Sequence, residues 1–484
     1  MFNRLKCKIN KNKYYILFAI IIGIFIINYN YVVGDDLNYK AKVIKMGTWN
    51  FIVDEFSHWS GRLSMIIIPA LVRYNLYTWK ILNILVAFLY LKGFSYYYKS
   101  DLSIEEKLKL DKMTFACFFF IFPYTITSAI VWLSGSYQYL WAVTAFIYAM
   151  FPFYKIIFIS KELKFSKLKW CLYYFAVFCA AYIEQEFLVM FVLSTIVILL
   201  VIKNKEIIKK EKLKIFFYYV FFLINLGISR FSKGFNIRIA KEIRWYPNWT
   251  NMPFIYRFYE AVNLTNRHVI WGSNILFLIL ILFLSILVYK KWGTKMKVLY
   301  IPLGYIILKI LPLDFFSNNI MTWYFNFENF YTADRKSLQT LTIEKSVNYF
   351  LYDTTKVIQD IKIPKFEYLP AVISFSIIIF ISFIIYNIFN DRKKGILVFL
   401  VYWAGFFSVY ILSFMPAIYA IGSRAFFLMD SLILFIISQL YLELKLEYQI
   451  DKNKYFKVFL VVILLLSFLI ILSYNSYLKQ FVYL

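Results

Sequence analysis

Two neighbouring carboxylates, Asp35 and Asp36, stand where the first apolar run of this chain ends. A carboxylate at a bilayer surface can take a proton from an attacking hydroxyl, or hold a divalent cation such as Mg or Mn. Asp35 and Asp36 would be that cation's ligands, and Gly34 lets the chain turn sharply off the preceding helix. The same loop carries Tyr39 and the run His58-Trp59-Ser60-Gly61-Arg62. The planar fork of Arg62 suits a phosphate. A carboxylate base, a phosphate-binding arginine and an aromatic lining fit chemistry on a lipid-linked phosphate donor. Further along, Glu184 and Glu186 share one acidic turn, Arg230 ends an apolar run, Arg238 and Arg244 lie in the segment after it, and Arg424 precedes an apolar run. Each group also has a plainer reading. The acids can be solvated helix ends, the arginines can snorkel to the interface, and His58 can be structural.

The elements that position these groups are membrane spans. The chain has 484 residues, 62% of them hydrophobic, 22% aromatic and only 17% charged. A soluble domain carries about a quarter charged residues, so lipid must be the solvent for much of this surface. Apolar runs predict an all-α polytopic membrane protein of about 13 spans. They lie near 14–33, 77–98, 113–131, 138–159, 170–183, 187–202, 215–230, 269–289, 298–313, 369–389, 396–415, 425–444 and 458–478. The short basic loops 99–112, 155–169, 203–214, 290–297, 392–394 and 445–457 fall on alternate sides of that series, with the basic N-terminus. This is the positive-inside pattern, and it puts the N-terminus in the cytoplasm. The net charge of +27 is therefore read as insertion and contact with anionic lipid, not as nucleic acid binding.

The other side carries three long segments, 34–76, 231–274 and 314–368, with short turns at 133–137, 184–186 and 416–424. The long segments hold amphipathic, aromatic stretches expected to lie in the interface plane. Every candidate group maps to this outer side. Cys7, Cys117, Cys171 and Cys179 have no metal or disulfide spacing, and the two histidines, His58 and His268, are far apart. Heavy use of Lys, Ile, Asn, Phe and Tyr is that of an AT-rich bacterial genome.

A first span followed by Asp-Asp resembles the GT-C superfamily, multi-span glycosyltransferases that use polyprenyl-phosphate sugars. The longer run, Gly34-Asp35-Asp36-x-x-Tyr39 and then Trp59-Ser60-Gly61-Arg62, resembles an uncharacterised bacterial membrane family near those enzymes. It is also similar to phage-type glucosyltransferases that decorate surface polysaccharide. Ser232-Lys233-Gly234-Phe235-Asn236-Ile237-Arg238 is similar to a Pro-Gly-Asn-x-x-Arg element, from which Lys233 and Phe235 depart. The turn ending Gly422-Ser423-Arg424 resembles a Pro-x-x-Arg element. The resemblance runs from about residue 14 to 430.

The resemblance implies one GT-C-like transmembrane domain over 1–484. Its activity would move a sugar from undecaprenyl phosphate to a surface glycan, polymer or lipid, with inversion, at the outer face of a bacterial cytoplasmic membrane. Asp35, with Asp36 as partner, would be the base. Arg62, Arg238 and Arg424 would bind the donor phosphate, and Tyr39, His58, Glu184 and Glu186 would complete the site. A transporter or flippase for a lipid-linked saccharide is the alternative, but a carrier needs charges near the bilayer midplane. A non-catalytic envelope-assembly protein is a third reading.

Overall fold

The computed structural model describes residues 10–30, 35–98, 102–245, 247–271, 274–310, 369–417, 421–450 and 453–482. The basic residues before position 10, Gly34 and the third long segment at 314–368 lie outside the described residues. The described chain is helical, with no strand. Among the described residues seven helices are long and apolar enough to cross a membrane, and eight if the bent pair Ile104–Phe118 and Pro123–Val131 counts as one span. Lys13–Ile27, Lys297–Ile307 and Val372–Ile388 are shorter apolar helices. These are the helices of a polytopic membrane protein. Most of the expected runs fall on helices, whereas 113–131 crosses the bent pair, and 14–33, 269–289 and 298–313 reach outside the described residues. The number of long apolar helices is smaller than the expected span count because several of these helices are short. The first has 15 residues, a rise of about 22 Å against about 30 Å of hydrocarbon.

The chain forms two compact units. The first comprises 1–118, 125–240 and 474–484. In it α1 (Lys13–Ile27) packs on α2 (Leu76–Phe94), which packs on α3 (Leu140–Tyr154). The lower-lying aromatic core includes Phe18 edge-on to Phe118 at 4.5 Å. The Tyr218 hydroxyl holds two helices by donating to the carbonyls of Ala149 (2.9 Å) and Tyr173 (3.1 Å).

The helix Ile104–Phe118 is followed by a bend of 100°. A π turn, Thr127–Val131, and a short helix, α4 (Leu133–Gln138), come next. A turn was expected at 133–137. The chain instead stays helical there, with Gly135 so close to the Ser128 carbonyl that a Cβ would overlap it. Irregular backbone inside apolar surroundings persists only when protein groups satisfy it. Asn83 donates to the Ile130 carbonyl (2.9 Å) and accepts from Trp141 Nε1 (2.9 Å). Trp79 Nε1 donates to the Ser136 hydroxyl (2.7 Å), and the Leu133 N–H reaches the Tyr29 hydroxyl (3.3 Å). This broken stretch is thereby held as a fixed floor.

The second unit comprises 119–124 and 241–473. Its centre is α5 (Phe427–Tyr448), buried at every position from Phe427 to Leu444. It packs against Ile275–Trp292 and Arg392–Tyr410. Near its C-terminal end, Glu443 accepts from the buried Lys394 ammonium (2.9 Å) and the Asn390 N–H (3.2 Å). The Lys291 ammonium donates to the last carbonyls of Leu369–Ile388, at Asn387 (2.9 Å) and Ile388 (3.0 Å). A cation there complements the negative end of the helix dipole.

Candidate functional site

The adjacent aspartates open one helix, α6 (Asp35–Met46), where acidic groups favour the positive end of the helix dipole. Successive residues on a helix point about 100° apart, and the two carboxylates have opposite fates. Asp36 is fully buried. Its Oδ2 accepts from the Tyr29 hydroxyl (2.6 Å), and its Oδ1 accepts from the Ser134 N–H (3.1 Å) and the Ser134 hydroxyl. It therefore ties α6 to the floor helix α4. Asp35 is exposed. A divalent cation does not fit this pair well, because both Asp36 oxygens already hold protein donors. Among the described residues no three His, Cys, Asp or Glu side chains gather as a cation would need. No step is derived through a metal.

Trp59-Ser60-Gly61-Arg62 links the helix Thr48–His58 to α7 (Leu63–Leu71). Its glycine explains why it sits where it does. A Cβ on Gly61 would overlap the Ser229 carbonyl and the Ser232 hydroxyl, and a Cβ on Gly234 would overlap the Phe56 carbonyl and crowd the Ser60 nitrogen at 2.9 Å. The Trp-Ser-Gly-Arg run and the Ser232-Lys233-Gly234 run thus lie backbone to backbone, each with a glycine at the contact. This brings together two segments about 170 residues apart.

Arg62 turns inward from that contact to the first turn of α8 (Glu184–Lys203). Its Nε and Nη2 donate to Glu184 Oε2 at 3.0 Å and 2.5 Å, and its Nη1 donates to the Gln138 side-chain oxygen at 2.9 Å. The Arg62 and Glu184 side chains are both nearly buried. The fork of Arg62 is thus engaged by protein, and it fixes Glu184, the floor helix and the Ser-Gly loop to one another.

Two more guanidiniums join this pair. Arg230 ends the helix Lys209–Arg230 and lies between two rings, 3.9 Å from the Phe187 centroid and 4.4 Å from that of Phe235. Its Nε and Nη2 are buried and have no hydrogen-bond partner among the described residues. Arg62, Arg238 and Arg230 all act electrostatically on Glu184. Glu186 lies on the same first turn, fully buried, with neither oxygen hydrogen-bonded among the described residues. Three guanidiniums facing two carboxylates leave at least one net positive charge, and Arg230 holds donors with no hydrogen-bond partner among the described residues.

Tyr39 connects this cluster to Asp35. Its ring stacks on Tyr74 (centroids 5.6 Å apart, 25°) and meets Phe51 edge-on. Burial, then the carboxylates of Glu55 and Asp35, push the Tyr39 hydroxyl's pKa up, while Arg238 opposes them. The hydroxyl stays neutral, within electrostatic reach of Asp35 and Arg238.

Arg62, Arg230, Arg238, Glu184 and Glu186 gather in the first unit, and Arg238 and Asp35 both act electrostatically on Tyr39. Asp36 is tied to Tyr29 and Ser134. His58 is exposed and hydrogen-bonded through Nδ1 to Asp54 (3.0 Å), one turn back on its own helix. Arg424 belongs to the second unit, in the 3₁₀ turn Ser423–Phe426 that follows Gly422, whose φ of 69° favours glycine. The sequence set no role for Gln138 and did not single out Arg230 among the candidate arginines. Arg230 ends an apolar helix, as an interfacial anchor does, and only the flanking Phe187 and Phe235 mark it. Gln138 carries no signal in the sequence. Compared with known proteins, the chain matches no family model, no curated protein and no solved structure.

Proposed function

We propose that this chain is a membrane glycosyltransferase. It would transfer a sugar from a polyprenyl-phosphate donor, undecaprenyl phosphate in a bacterial membrane, to a surface glycan, polymer or lipid. The observation that carries this reading is Arg230: a guanidinium held between two aromatic faces, with unpaired donors, in a cluster of net positive charge. Such a group suits a phosphate oxygen. Asp35 is an exposed carboxylate that acts electrostatically on Tyr39, as does Arg238 of that cluster, and it serves as base.

In the step itself, Asp35 takes the proton of the acceptor hydroxyl. The oxygen attacks the anomeric carbon from the face opposite the phosphate, the bond from that carbon to the phosphate oxygen breaks, and its electron pair leaves with the phosphate. The configuration is inverted. Arg230 and Arg238 neutralise the leaving phosphate, and Arg62 holds Glu184 so that these charges stay in place. On this reading the cluster faces the outer side of the cytoplasmic membrane, where lipid delivers the donor.

Binding tests the phosphate half of the proposal. Purified protein in nanodiscs is titrated with undecaprenyl phosphate, wild type beside Arg230→Gln. Loss of two charge-assisted hydrogen bonds, each worth about 1.5–3 kcal/mol, should weaken binding by about a hundredfold or more. Equal affinity for both proteins would remove Arg230 from the site.

A further inference from the structure

In an inverting displacement the base and the departing group flank the sugar ring from opposite faces. With Asp35 as base and the arginines on the phosphate, the sugar lies between them. The floor helix α4 touches both ends of that interval. At one end the Ser134 N–H and hydroxyl donate to Asp36, whose Cα is about 3.8 Å from that of Asp35. At the other, the Gln138 side-chain oxygen accepts from Arg62 Nη1 at 2.9 Å, and Arg62 in turn holds Glu184. Ser134 and Gln138 are four positions apart on α4. They therefore share one face of the helix and stand about 6 Å apart along its axis.

Arg62 decides which way the Gln138 amide faces. A guanidinium only donates, so the amide oxygen meets it and the NH₂ group turns away. The two N–H groups hold no hydrogen bond among the described residues. Gln138 is part-exposed, and its amide nitrogen is not sealed inside the protein. A ligand can therefore reach it. The positive charge on the oxygen side polarises the amide and strengthens its N–H groups as donors.

We propose that Gln138 is a specificity-determining residue for the donor, whose NH₂ group donates to a hydroxyl oxygen of the lipid-linked sugar. The inference rests on the glycosyl-transfer reading and adds to it the group that tells a sugar-bearing lipid from the bare lipid phosphate. The phosphate is matched by the charged donors of Arg230. A neutral amide, on the helix that also holds Asp36, matches a neutral sugar oxygen. Arg62 is the positioning residue: it fixes the amide and does not itself touch the sugar.

Two probes test it, undecaprenyl phosphate and undecaprenyl-phosphate glucose, each titrated into the full chain in nanodiscs. The readout is the ratio of the two affinities. Wild type should prefer the glucose lipid by about fivefold, the worth of one hydrogen bond. Gln138→Met, of similar length, removes the N–H donors and should abolish that preference. A side chain that only supports Arg62 would weaken both lipids alike, so an unchanged ratio in Gln138→Met would overturn the proposal. If that variant does not fold, Gln138→Asn serves. It stays polar but withdraws the amide by one methylene, so the preference should shrink, and an undiminished preference would overturn the proposal. Wild type that binds the bare lipid and shows no preference for the glucose lipid also overturns it, with the phosphate site left standing. Binding of neither lipid would overturn the glycosyl-transfer reading, and this inference with it.

Discussion

Removing Glu184 should harm the protein more than removing its partner Arg62. Truncating one member of a buried ion pair typically costs about 3–5 kcal/mol, because the other charge is left uncompensated. The surroundings here are unequal. Without Arg62, Glu184 still faces Arg230 and Arg238, so Arg62→Gln should cost near the lower end, about 3 kcal/mol. Without the Glu184 charge, three guanidiniums confront one another with Glu186 left as the carboxylate of the cluster, so Glu184→Gln should cost near the upper end, about 5 kcal/mol. The double variant should cost less than the sum, since the two groups share one interaction. SDS-induced unfolding of the purified protein in mixed micelles gives these differences. Inorganic phosphate in the buffer should restore Glu184→Gln more than it stabilises wild type, by replacing the missing anion. Equal costs, the reverse order, or a cost below about 1 kcal/mol, the range of exposed pairs, would refute the description of this cluster.

Other positions give independent tests. Asp36→Ala should destabilise by about 1–3 kcal/mol per donor left unpaired at Tyr29 and Ser134, read by the same unfolding assay. Gly61→Ala and Gly234→Ala should each cost about 1–3 kcal/mol by overpacking, whereas Gly304→Ala, where a Cβ meets nothing within 4 Å, should stay near wild type. The raised pKa of the Tyr39 hydroxyl has a pH consequence. Its contribution is full below the ordinary tyrosine value of about 10 and is lost as pH rises through the raised value. Tyr39→Phe should therefore flatten the alkaline loss of stability, measured as midpoint against pH.

Much of the architecture was legible because hydrocarbon imposes length and composition on every helix that enters it. The helices at 184–203, 275–292 and 427–448 announce themselves as uninterrupted apolar runs. The broken stretch after Phe118 was not legible as such. Its residues are as apolar as a span, and what bends it is tertiary: Asn83, Trp79, Tyr29 and Asp36 satisfy backbone and hydroxyl groups that a straight helix would satisfy itself. The carboxylates and arginines of the cluster were visible as charges beside apolar runs. Their pairing was not. Sequence spacing does not say that Arg62 is spent on Glu184 and Gln138, that Asp36 faces inward while Asp35 faces out, or that Arg230 keeps unpaired donors.

The central claim is sugar transfer with Asp35 as base and the arginine cluster as phosphate site. The direct measurement supplies purified wild-type protein and Asp35→Asn with radiolabelled undecaprenyl-phosphate sugar and envelope extract as acceptor. General-base removal typically costs about 10²–10⁴-fold, so label should pass to the acceptor with wild type and fall by that factor with Asp35→Asn. Transfer at the wild-type rate by Asp35→Asn, or movement of the lipid-linked sugar across the bilayer with no transfer, would contradict the account.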